Sequence, residues 1–301
     1  MSKYVKDRGE LFRILYDKLE QVKRSDNKVV LSIVIPLYNE EETIKNVLER
    51  MPKHKLVEVI VIDDHSTDNS FNIVNEIKHA KVGNNIRLIR HKKNLGYGKA
   101  LLTGIKKARG KIIVTMDSDG QHRPEDIFNL VEPILNQKTD IAIGSRYQGT
   151  YNYRLPLSTR LGESFVEKVI FILFGQRIMN NQSGFRAFNH KTLSIFDGIK
   201  FEGYAFTTEI LLKAALKNYR IKECPIHLLG REYGSSKIIL NTLTQRILLC
   251  FIYYTLRKIN NPYYKKWMIK RILFLNKVPP ISKQKRDNLI HYRRETWILV
   301  A

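Results

Sequence analysis

Two aspartates, separated by one residue, stand where an apolar run of the sequence ends. The segment VTMDSDGQHRPED (residues 114–126) begins like a buried strand and then presents Asp117 and Asp119. Carboxylates at positions i and i+2 can face one point once the chain bends, and Gly120 permits that bend. Mg²⁺ and Mn²⁺ take such oxygens together with substrate phosphates. The pattern predicts a divalent-cation site for a diphosphate, with Gln121 as a further oxygen ligand.

The same acids have a second interpretation, because acidic residues also cap helices. In this alternative, Asp117 and Asp119 lie in an ordinary strand-to-helix loop and stabilise a helix that begins at Pro124. An isolated Asp-x-Asp motif does not separate the two interpretations. His122 is expected to support the loop or a metal ligand, since hard cations prefer oxygen to nitrogen.

Two further polar clusters follow apolar runs. Asp63 and Asp64, in VIDDHSTDNS, suit hydrogen bonds to ribose hydroxyls or base edges, whereas Ser66, Thr67 and Asp68 suit capping of the next helix. The glycines of NLGYGKA suit a close approach of the backbone to an anion or a sugar. Because this spacing matches neither the Rossmann nor the Walker pattern, a plain turn is an equal alternative.

The elements that must position these clusters alternate along the chain. Four apolar, β-branched runs begin near residues 28, 57, 86 and 111, and each is followed by apolar residues at helical spacing. This alternation predicts a parallel sheet with helices on both faces. Ligands bind such sheets beyond the carboxyl ends of the strands, where the polar clusters fall.

The alternation weakens beyond residue 149. We expect a helix at 158–175, a loop through NNQSGFRAF, a helix near 207–217, a strand near 220–227 and helices after residue 238.

Composition limits the class of protein. The chain of 301 residues is 43% hydrophobic and has a formal net charge of +23, with the basic excess concentrated near its end. A globular core is expected, and an anionic surface, either lipid or nucleic acid, suits the charge. Cys224 and Cys250 lie far apart, so buried thiols in a reducing compartment are expected.

Neither a bilayer span nor a signal peptide is indicated by the sequence. The apolar runs at 169–175 and 247–256 are shorter than the roughly 20 residues that a spanning helix needs. The N-terminal segment is charged throughout, unlike a signal peptide. We therefore expect a cytoplasmic catalytic part.

Eight segments occur together in a specific order. They are IVIPLYNEEETI, VIDDHSTDNS, NLGYGKA, MDSDGQHRPED, GSRY, SGFRAF, YAFTTEILLKA and REYGSSK. Over roughly residues 30–240 this set resembles the family 2 glycosyltransferases with a GT-A fold, and among them the dolichyl-phosphate mannose and glucose synthases. The resemblance implies a Rossmann-like α/β fold, with a mostly parallel sheet flanked by helices. The composition of residues 238–269, in which apolar and basic residues are mixed, predicts C-terminal amphipathic helices. The resemblance also implies sugar transfer from a nucleotide diphosphate sugar to a polyprenyl (dolichyl) phosphate.

The resemblance further implies the residues that contact the donor, which would be GDP-mannose, UDP-glucose or UDP-N-acetylglucosamine. Asp117, Asp119 and Gln121 match the positions that hold Mg²⁺ or Mn²⁺. The nucleotide-sugar contacts are expected at Pro36, Tyr38, Asn39, Glu40, Asp63, Asp64, Asn94, Gly96, Lys99, Asp117, Ser118, Glu209, Ser236 and Lys237.

The acceptor phosphate is expected to contact Arg146, Ser183 and Arg186, which match family positions near that group. A phosphate monoester is anionic at neutral pH, so its oxygen needs no general base, and direct displacement inverts the anomeric configuration. The expected catalytic residues are Asp119, Arg146 and Arg231, which orient the reactants and neutralise the leaving nucleoside diphosphate.

A hydroxyl of a glycan or protein is the alternative acceptor. Glu209 would then act as the general base. With a phosphate acceptor, Glu209 would contact the sugar or serve as a first-turn acid that the helix dipole favours.

The expected organisation has three parts. Residues 1–27 form an N-terminal helical extension, 28–237 the glycosyltransferase domain, and 238–301 a basic, amphipathic region. Peripheral contact with an anionic membrane surface is expected through 158–178 and 238–269. Packing on the core, a homo-oligomer or a membrane-anchoring subunit are alternatives for these segments.

A third hypothesis is a non-catalytic nucleic-acid binder that uses the basic charge. The acids at two strand ends disfavour it, because Asp63, Asp64, Asp117 and Asp119 would repel phosphates unless a metal intervenes.

Overall fold

A seven-stranded sheet organises the chain in the computed structural model, which describes residues 7–22, 29–80, 85–152, 157–201, 203, 205–230 and 240–259. The strands are β1 (Leu31–Leu37), β2 (Val57–Asp63), β3 (Ile86–Arg90), β4 (Ile112–Thr115), β5 (Ile141–Tyr151), β6 (Arg186–Asn189) and β7 (Ile221–Leu228). The helices are α1 (Arg8–Val22), α2 (Ile44–Glu49), α3 (Ser70–His79), α4 (Tyr97–Lys107), α5 (Ile127–Leu135), α6 (Leu157–Phe174), α7 (Ala205–Leu216) and α8 (Leu240–Ile259).

The strand order is β3-β2-β1-β4-β6-β5-β7. Strands β3, β2, β1 and β4 are parallel, β5 and β7 are parallel, and β6 runs antiparallel to both β4 and β5. The predicted α/β fold with a mostly parallel sheet is therefore confirmed. The prediction of a loop through NNQSGFRAF is wrong for the last three residues of this segment, because residues 186–189 form strand β6.

All strands except β6 end at one edge of the sheet, where β6 begins. We call this the upper edge, and the opposite one the lower edge. Every residue of β1, β2 and β4 is buried. That burial on both faces explains why these strands read as continuous apolar runs.

A buried acid near the start of β2 interrupts the apolar character of this strand. Glu58 accepts hydrogen bonds from Ser32 Oγ (2.7 Å), Arg87 Nη1 (2.9 Å) and the Arg109 backbone (2.8 Å). Burial by itself would raise the pKa of Glu58, but these bonds outweigh it and lower the pKa. The residue thus remains a carboxylate that ties together the lower edge.

The N-terminal helix belongs to the main packing unit. Phe12, Leu15 and Leu19 of α1 are buried in the same core as β1 and β2. Contacts divide the chain into the units Met1–Ile252 and Tyr253–Ala301, whereas the predicted boundaries lie after residues 27 and 237. The cysteines are free and buried as expected, and burial raises the pKa of Cys224 to about 11.

Helix α6 turns an apolar stripe outward. Leu161, Phe165 and Ile172 are 63%, 63% and 64% exposed, while Val166 and Ile170 face the core. The helix therefore has a core-facing side and a separate, uncovered apolar side. Among the described residues, no helix combines the length and the apolar character that a bilayer crossing requires.

Candidate active site

The loops that follow β1 and β2 are joined side by side at the upper edge. The Asn39 backbone donates to Ser66 Oγ (3.1 Å), and the Thr67 backbone donates to Asn39 Oδ1 (2.8 Å). The Glu40 backbone donates to Ser70 Oγ (2.8 Å). These bonds fix the segment that contains the predicted donor contacts Asn39 and Glu40.

The predicted capping of α3 by this loop is only partly realised. Asp68 Oδ1 accepts from the Ser70 backbone (3.0 Å), as an acid before a helix is expected to do. Ser66 and Thr67 instead bind the loop after β1.

A gap in the sheet lies next to these loops. Pairing of β1 with β4 ends at Val34, but pairing with β2 continues to Leu37. The buried Pro36 lies past the end of β4, where its missing N–H costs no hydrogen bond to that strand. The half-buried Tyr38 follows it. The sheet therefore opens at this point.

Asp64 holds the loop that precedes α4. Its carboxylate accepts from the backbone N–H groups of Leu95 (2.9 Å) and Gly96 (2.7 Å), and lies 2.6 Å from His91 Nδ1. Asn94 and Lys99 are exposed around this loop. The structure thus gives Asp64 contacts within the protein, in addition to the ribose or base contact predicted for it.

Asp63, the neighbouring acid, is fully buried. Arg90 Nε lies 3.0 Å from Asp63 Oδ2, and the Ser66 backbone donates to Asp63 Oδ1 (3.2 Å). This buried carboxylate therefore stabilises the loop after β2 through its hydrogen bond from the Ser66 backbone.

Asp117 lies beyond the end of β4, where residues from three segments surround it. Tyr97 Oη donates to Asp117 Oδ1 (2.9 Å), which brings the start of α4 to the carboxylate. His122 Nδ1 lies 3.7 Å from Asp117 Oδ2, and the His122 ring packs on Phe185 with centroids 5.0 Å apart. These neighbours fix the direction of a carboxylate whose side chain is 28% exposed.

Gly184 leaves the room that this arrangement requires. A Cβ atom at Gly184 would lie 2.5 Å from Tyr97 Oη and 2.6 and 2.7 Å from the carboxylate oxygens of Asp117. Such distances would force the Tyr97 and Asp117 side chains to move, so the observed arrangement depends on glycine at this position. The segments NLGYGKA, MDSDGQHRPED and SGFRAF therefore converge at Asp117.

Hydrogen bonds connect the rest of this loop to the residue that follows β7. Gly120 has a φ of 76°, as predicted for the bend, and the Gln121 backbone donates to Asp119 Oδ1 (3.1 Å). Gln121 exchanges two hydrogen bonds with Leu229, from the Leu229 backbone to Gln121 O (2.9 Å) and from Gln121 Nε2 to Leu229 O (3.0 Å). Thr43 Oγ1 donates to the carbonyl of the buried Ser118 (2.8 Å).

The donor set at this loop fits a hard divalent cation. Asp117 and Asp119 are partly exposed carboxylates at one strand end. Within the described ranges, no group of three or more His, Cys, Asp or Glu side chains is arranged for a metal. Two carboxylates need further oxygens from phosphates and water, which is how proteins commonly hold Mg²⁺ with a nucleotide.

Arg186 is buried at the start of β6. Its guanidinium donates to the carbonyls of Ser183 (2.7 Å), Thr207 (2.8 Å) and Asn181 (2.8 Å). Burial lowers the pKa of Arg186 to about 10, while the neighbouring Tyr97 and Asp117 raise it, so it remains a cation at neutral pH. The structure thus differs from the predicted phosphate contact, because backbone oxygens already take these donors. Ser183 is 8% exposed.

Arg146 lies just inside the upper edge on β5. Its Nη2 is 2.6 Å from Glu163 Oε1 of α6, and Tyr147 Oη donates to the other oxygen of Glu163. Burial, together with this contact, raises the pKa of Tyr147 to about 12, so the hydroxyl stays protonated. A carboxylate of the chain therefore binds the predicted phosphate-contacting arginine.

Glu209 is enclosed near the start of α7. It is 0% exposed, and its carboxylate accepts from the backbone N–H groups of Lys200 (2.9 and 3.0 Å) and Phe201 (2.7 Å). Both oxygens therefore have partners inside the protein. The predicted phosphate-side residues Arg231, Ser236 and Lys237 lie outside the described residues.

Three residues that shape the site were not among the predicted ones. Tyr97 and Gly184 stand inside recognised motifs, but the sequence does not reveal that each of them touches Asp117. Glu163 has no signal beyond its place on an amphipathic helix.

The amino-acid sequence matches a known protein family and named relatives. The sequence model described as "Glycosyl transferase family 2" matches residues 32–197. The UDP-N-acetylglucosamine–dolichyl-phosphate N-acetylglucosaminyltransferase of Methanococcus voltae is 32% identical over 69% of this chain and 89% of the relative. The dolichyl-phosphate beta-glucosyltransferase of Dictyostelium discoideum is 30% identical over 74% of this chain and 73% of the relative.

Solved structures have the same fold. Glucosyl-3-phosphoglycerate synthase from Mycobacterium tuberculosis, in complex with Mn²⁺, UDP and glucosyl-3-phosphoglycerate, has a TM-score of 0.60 and 21% identity. The match covers 85% of this chain and 86% of that chain. A complex of the same synthase with phosphoglyceric acid has a TM-score of 0.62 and 20% identity, over 84% and 86% of the two chains.

Proposed function

Because the chain belongs to glycosyl transferase family 2, we propose that it moves a sugar from a nucleotide diphosphate sugar to a polyprenyl (dolichyl) phosphate, with Mg²⁺ or Mn²⁺ and with inversion. The names of the two relatives supply the acceptor class, and one of them names a UDP-linked sugar. A UDP sugar is thus the first donor to test, ahead of GDP-mannose.

The observation that carries the choice of acceptor is the enclosure of Glu209. A general base must reach the proton of the attacking hydroxyl. Glu209 is fully buried, and backbone N–H groups occupy its oxygens. This supports an acceptor that needs no base, and a phosphate monoester is one.

In the proposed reaction, an oxygen of the acceptor phosphate attacks the anomeric carbon of the sugar. The bond from that carbon to the diphosphate oxygen breaks, and the nucleoside diphosphate leaves with the electron pair. Asp117 and Asp119 would hold the divalent cation, which supplies positive charge to the diphosphate. Arg231, Ser236 and Lys237 are proposed to bind the same phosphates.

The remaining residues of the site prepare the reactants. Asn39 and Glu40 would contact the nucleotide from a loop that Ser66, Thr67 and Ser70 already fix. Asp64 positions Gly96, which supports close approach of that loop to the donor. We assign Arg146 to the acceptor phosphate and Arg186 to the support of Asp117 and its surroundings.

Access to a polyprenyl phosphate requires a lipid surface. The exposed apolar stripe of α6, formed by Leu161, Phe165 and Ile172, supports peripheral contact with a membrane. We place the enzyme at the cytoplasmic membrane face, and the net charge of +23 favours anionic lipid there.

The test is sugar transfer to polyprenyl phosphate in vesicles, with Mn²⁺ and labelled UDP-N-acetylglucosamine, UDP-glucose or GDP-mannose. We expect label in the lipid phase and a loss of about 100-fold or more for Asp119→Asn. Glu209→Gln should retain the rate of sugar transfer per folded molecule. The folded fraction is measured by circular dichroism. No lipid label with any donor, or abolished turnover in folded Glu209→Gln, would contradict the proposal.

A further inference from the structure

The guanidinium of Arg146 binds a carboxylate from a different element of the same chain. Arg146 Nη2 and Glu163 Oε1 are 2.6 Å apart, and the two side chains are only 12% and 8% exposed. Tyr147 Oη donates to the second oxygen of Glu163. The carboxylate therefore has one partner on each oxygen, and both partners belong to β5.

A carboxylate and a phosphate compete for the same donors. Both are oxyanions that accept charge-assisted hydrogen bonds from a guanidinium, and a phosphate adds a third oxygen and more charge. A neutral hydroxyl offers a guanidinium no comparable interaction. An acceptor without negative charge therefore has no means of replacing Glu163 at Arg146.

Glu163 also connects this pair to the loop before β6. The Glu163 carbonyl accepts from Asn181 Nδ2 (3.1 Å), and the Asn181 carbonyl accepts from Arg186 Nη2 (2.8 Å). Leu161 and Phe165 are each two positions away on the helix, so they project from the opposite side. One helix thus carries the carboxylate on its inner side and the apolar stripe on its outer side.

We propose that Glu163 is an internal counter-ion of Arg146, which an acceptor phosphate must displace in order to bind. The inference rests on the proposed function, which places the acceptor phosphate at Arg146. Acceptor binding is then an exchange of one oxyanion for another, and Glu163 reduces the apparent affinity for acceptors that carry a phosphate. An alcohol does not compete for Arg146, so its affinity does not depend on Glu163.

The test is a substitution that removes the charge of the Glu163 side chain and keeps its shape. Glu163→Gln should lower both the Kd and the KM for polyprenyl phosphate about fivefold to tenfold, because Arg146 is no longer occupied by an internal anion. The Kd is measured by calorimetry without donor, and kcat should stay within about twofold. Farnesyl phosphate and farnesol serve as charged and neutral short-chain ligands, and only the phosphate should gain affinity.

Glu167→Gln is the matched control on the same helix. Glu167 pairs with Arg177 (3.1 Å), whose side chain is 75% exposed, so this pair lies at the surface. Its Kd and KM for the same ligands should equal those of the wild type.

Two results would overturn the inference. A raised Kd in Glu163→Gln would mean that Glu163 orients Arg146 for phosphate, and an unchanged Kd would mean that it has no part in acceptor binding. Should Glu163→Gln fail to fold, Tyr147→Phe decides, since it removes one bond to Glu163 and leaves Arg146. A lower Kd supports the inference, and an equal or higher one contradicts it. Wild-type transfer to polyprenyl phosphate tests the proposed function separately.

Discussion

Asp117 is oriented by a residue of its own loop and by two residues that are distant in sequence. Tyr97 donates to one carboxylate oxygen, His122 Nδ1 lies 3.7 Å from the other, and Gly184 leaves the space for both. No hydrogen-bond partner for His122 Nδ1 is found in the described part of the chain. A small shift of the carboxylate toward His122 would therefore satisfy a buried nitrogen.

Gly184→Ala should weaken metal binding by displacing Asp117. The new methyl group would meet Tyr97 Oη and both Asp117 oxygens at 2.7 Å or less, so the carboxylate must turn. We expect about a 10- to 100-fold weaker affinity for Mn²⁺ in the presence of UDP, the usual cost of disturbing the partners of a metal ligand. Electron paramagnetic resonance of Mn²⁺ measures this without turnover.

Gly162→Ala is the control for this substitution. A Cβ at Gly162 has no neighbour within 4 Å, and the residue lies in α6. Alanine should stabilise the helix by up to about 1 kcal/mol and leave Mn²⁺ affinity unchanged. Equal Mn²⁺ affinities for the two variants would refute the account of Gly184.

Sequence reasoning could place the chemistry of the site but not its internal contacts. Asp117 and Asp119 could be proposed as cation ligands because a carboxylate pair that follows an apolar run, together with the accompanying motifs, is typical of a cation site. The burial of Arg186 and Glu209 was not, because a sequence does not show which backbone groups will meet a charged side chain. Such partners are set by tertiary packing.

At the scale of elements, strands buried on both faces were the most predictable. β1 and β2 are runs of β-branched residues, and their burial explains that composition. β6 escaped prediction, because its four residues are too few for a period and the first is Arg186. That arginine is tolerated in the sheet because three carbonyls accept its hydrogen bonds.

The outer stripe of α6 should govern binding to lipid. Replacing Leu161, Phe165 and Ile172 together with Gln removes apolar side chains that are 63–64% exposed, so the fold should lose little stability. Vesicle affinity should fall at least about tenfold, because each buried apolar side chain contributes roughly 1.5–3 kcal/mol. Co-sedimentation with anionic vesicles measures it.

Val22→Gln is the control for lipid binding, since Val22 is also an exposed apolar residue (37%) but lies on α1. It should bind vesicles like the wild type. The triple variant should still transfer sugar to a short, water-soluble prenyl phosphate. Unchanged vesicle affinity in the triple variant would assign the stripe to a protein contact instead.

At the scale of the whole molecule, the two edges of the sheet differ in the exposure and pairing of their acidic residues. The upper edge holds the partly exposed acids Asp117 and Asp119, whereas Glu58 and Asp140 at the lower edge form ion pairs with basic side chains of the chain. Asp140 illustrates the second case. It accepts from Arg220 Nη2 (3.0 Å) and the Arg220 backbone (2.9 Å), and Lys191 Nζ lies 2.6 Å away.

Asp140→Asn should reduce stability in a pH-dependent manner. Hydrogen bonds from Arg220 hold the pKa of Asp140 well below its usual range. The contribution to stability is therefore complete above the unfolded pKa of about 3.9 and is lost as the pH falls from there through the lower folded pKa. We expect a loss of about 2 kcal/mol at pH 7 that shrinks below pH 4. Urea unfolding at several pH values measures this.

Asp197→Asn, which changes an exposed acid, is the control. Its free energy of unfolding should equal that of the wild type at every pH tested. A difference between Asp140→Asn and the wild type that is constant from pH 7 to pH 3 would show that shape, rather than charge, is lost.

The pairing register of β6 limits insertions and deletions in the segment before this strand. Strand β6 is short and central, and Ala187 pairs with both Val114 and Ala142 on its two sides. Because side chains alternate between faces, a slip of one residue would exchange the positions of Ala187 and Phe188 and pull Arg186 away from its carbonyls. The register of β6 therefore fixes the length of the segment from 180 to 185, just as the space beside Asp117 fixes the glycine at 184.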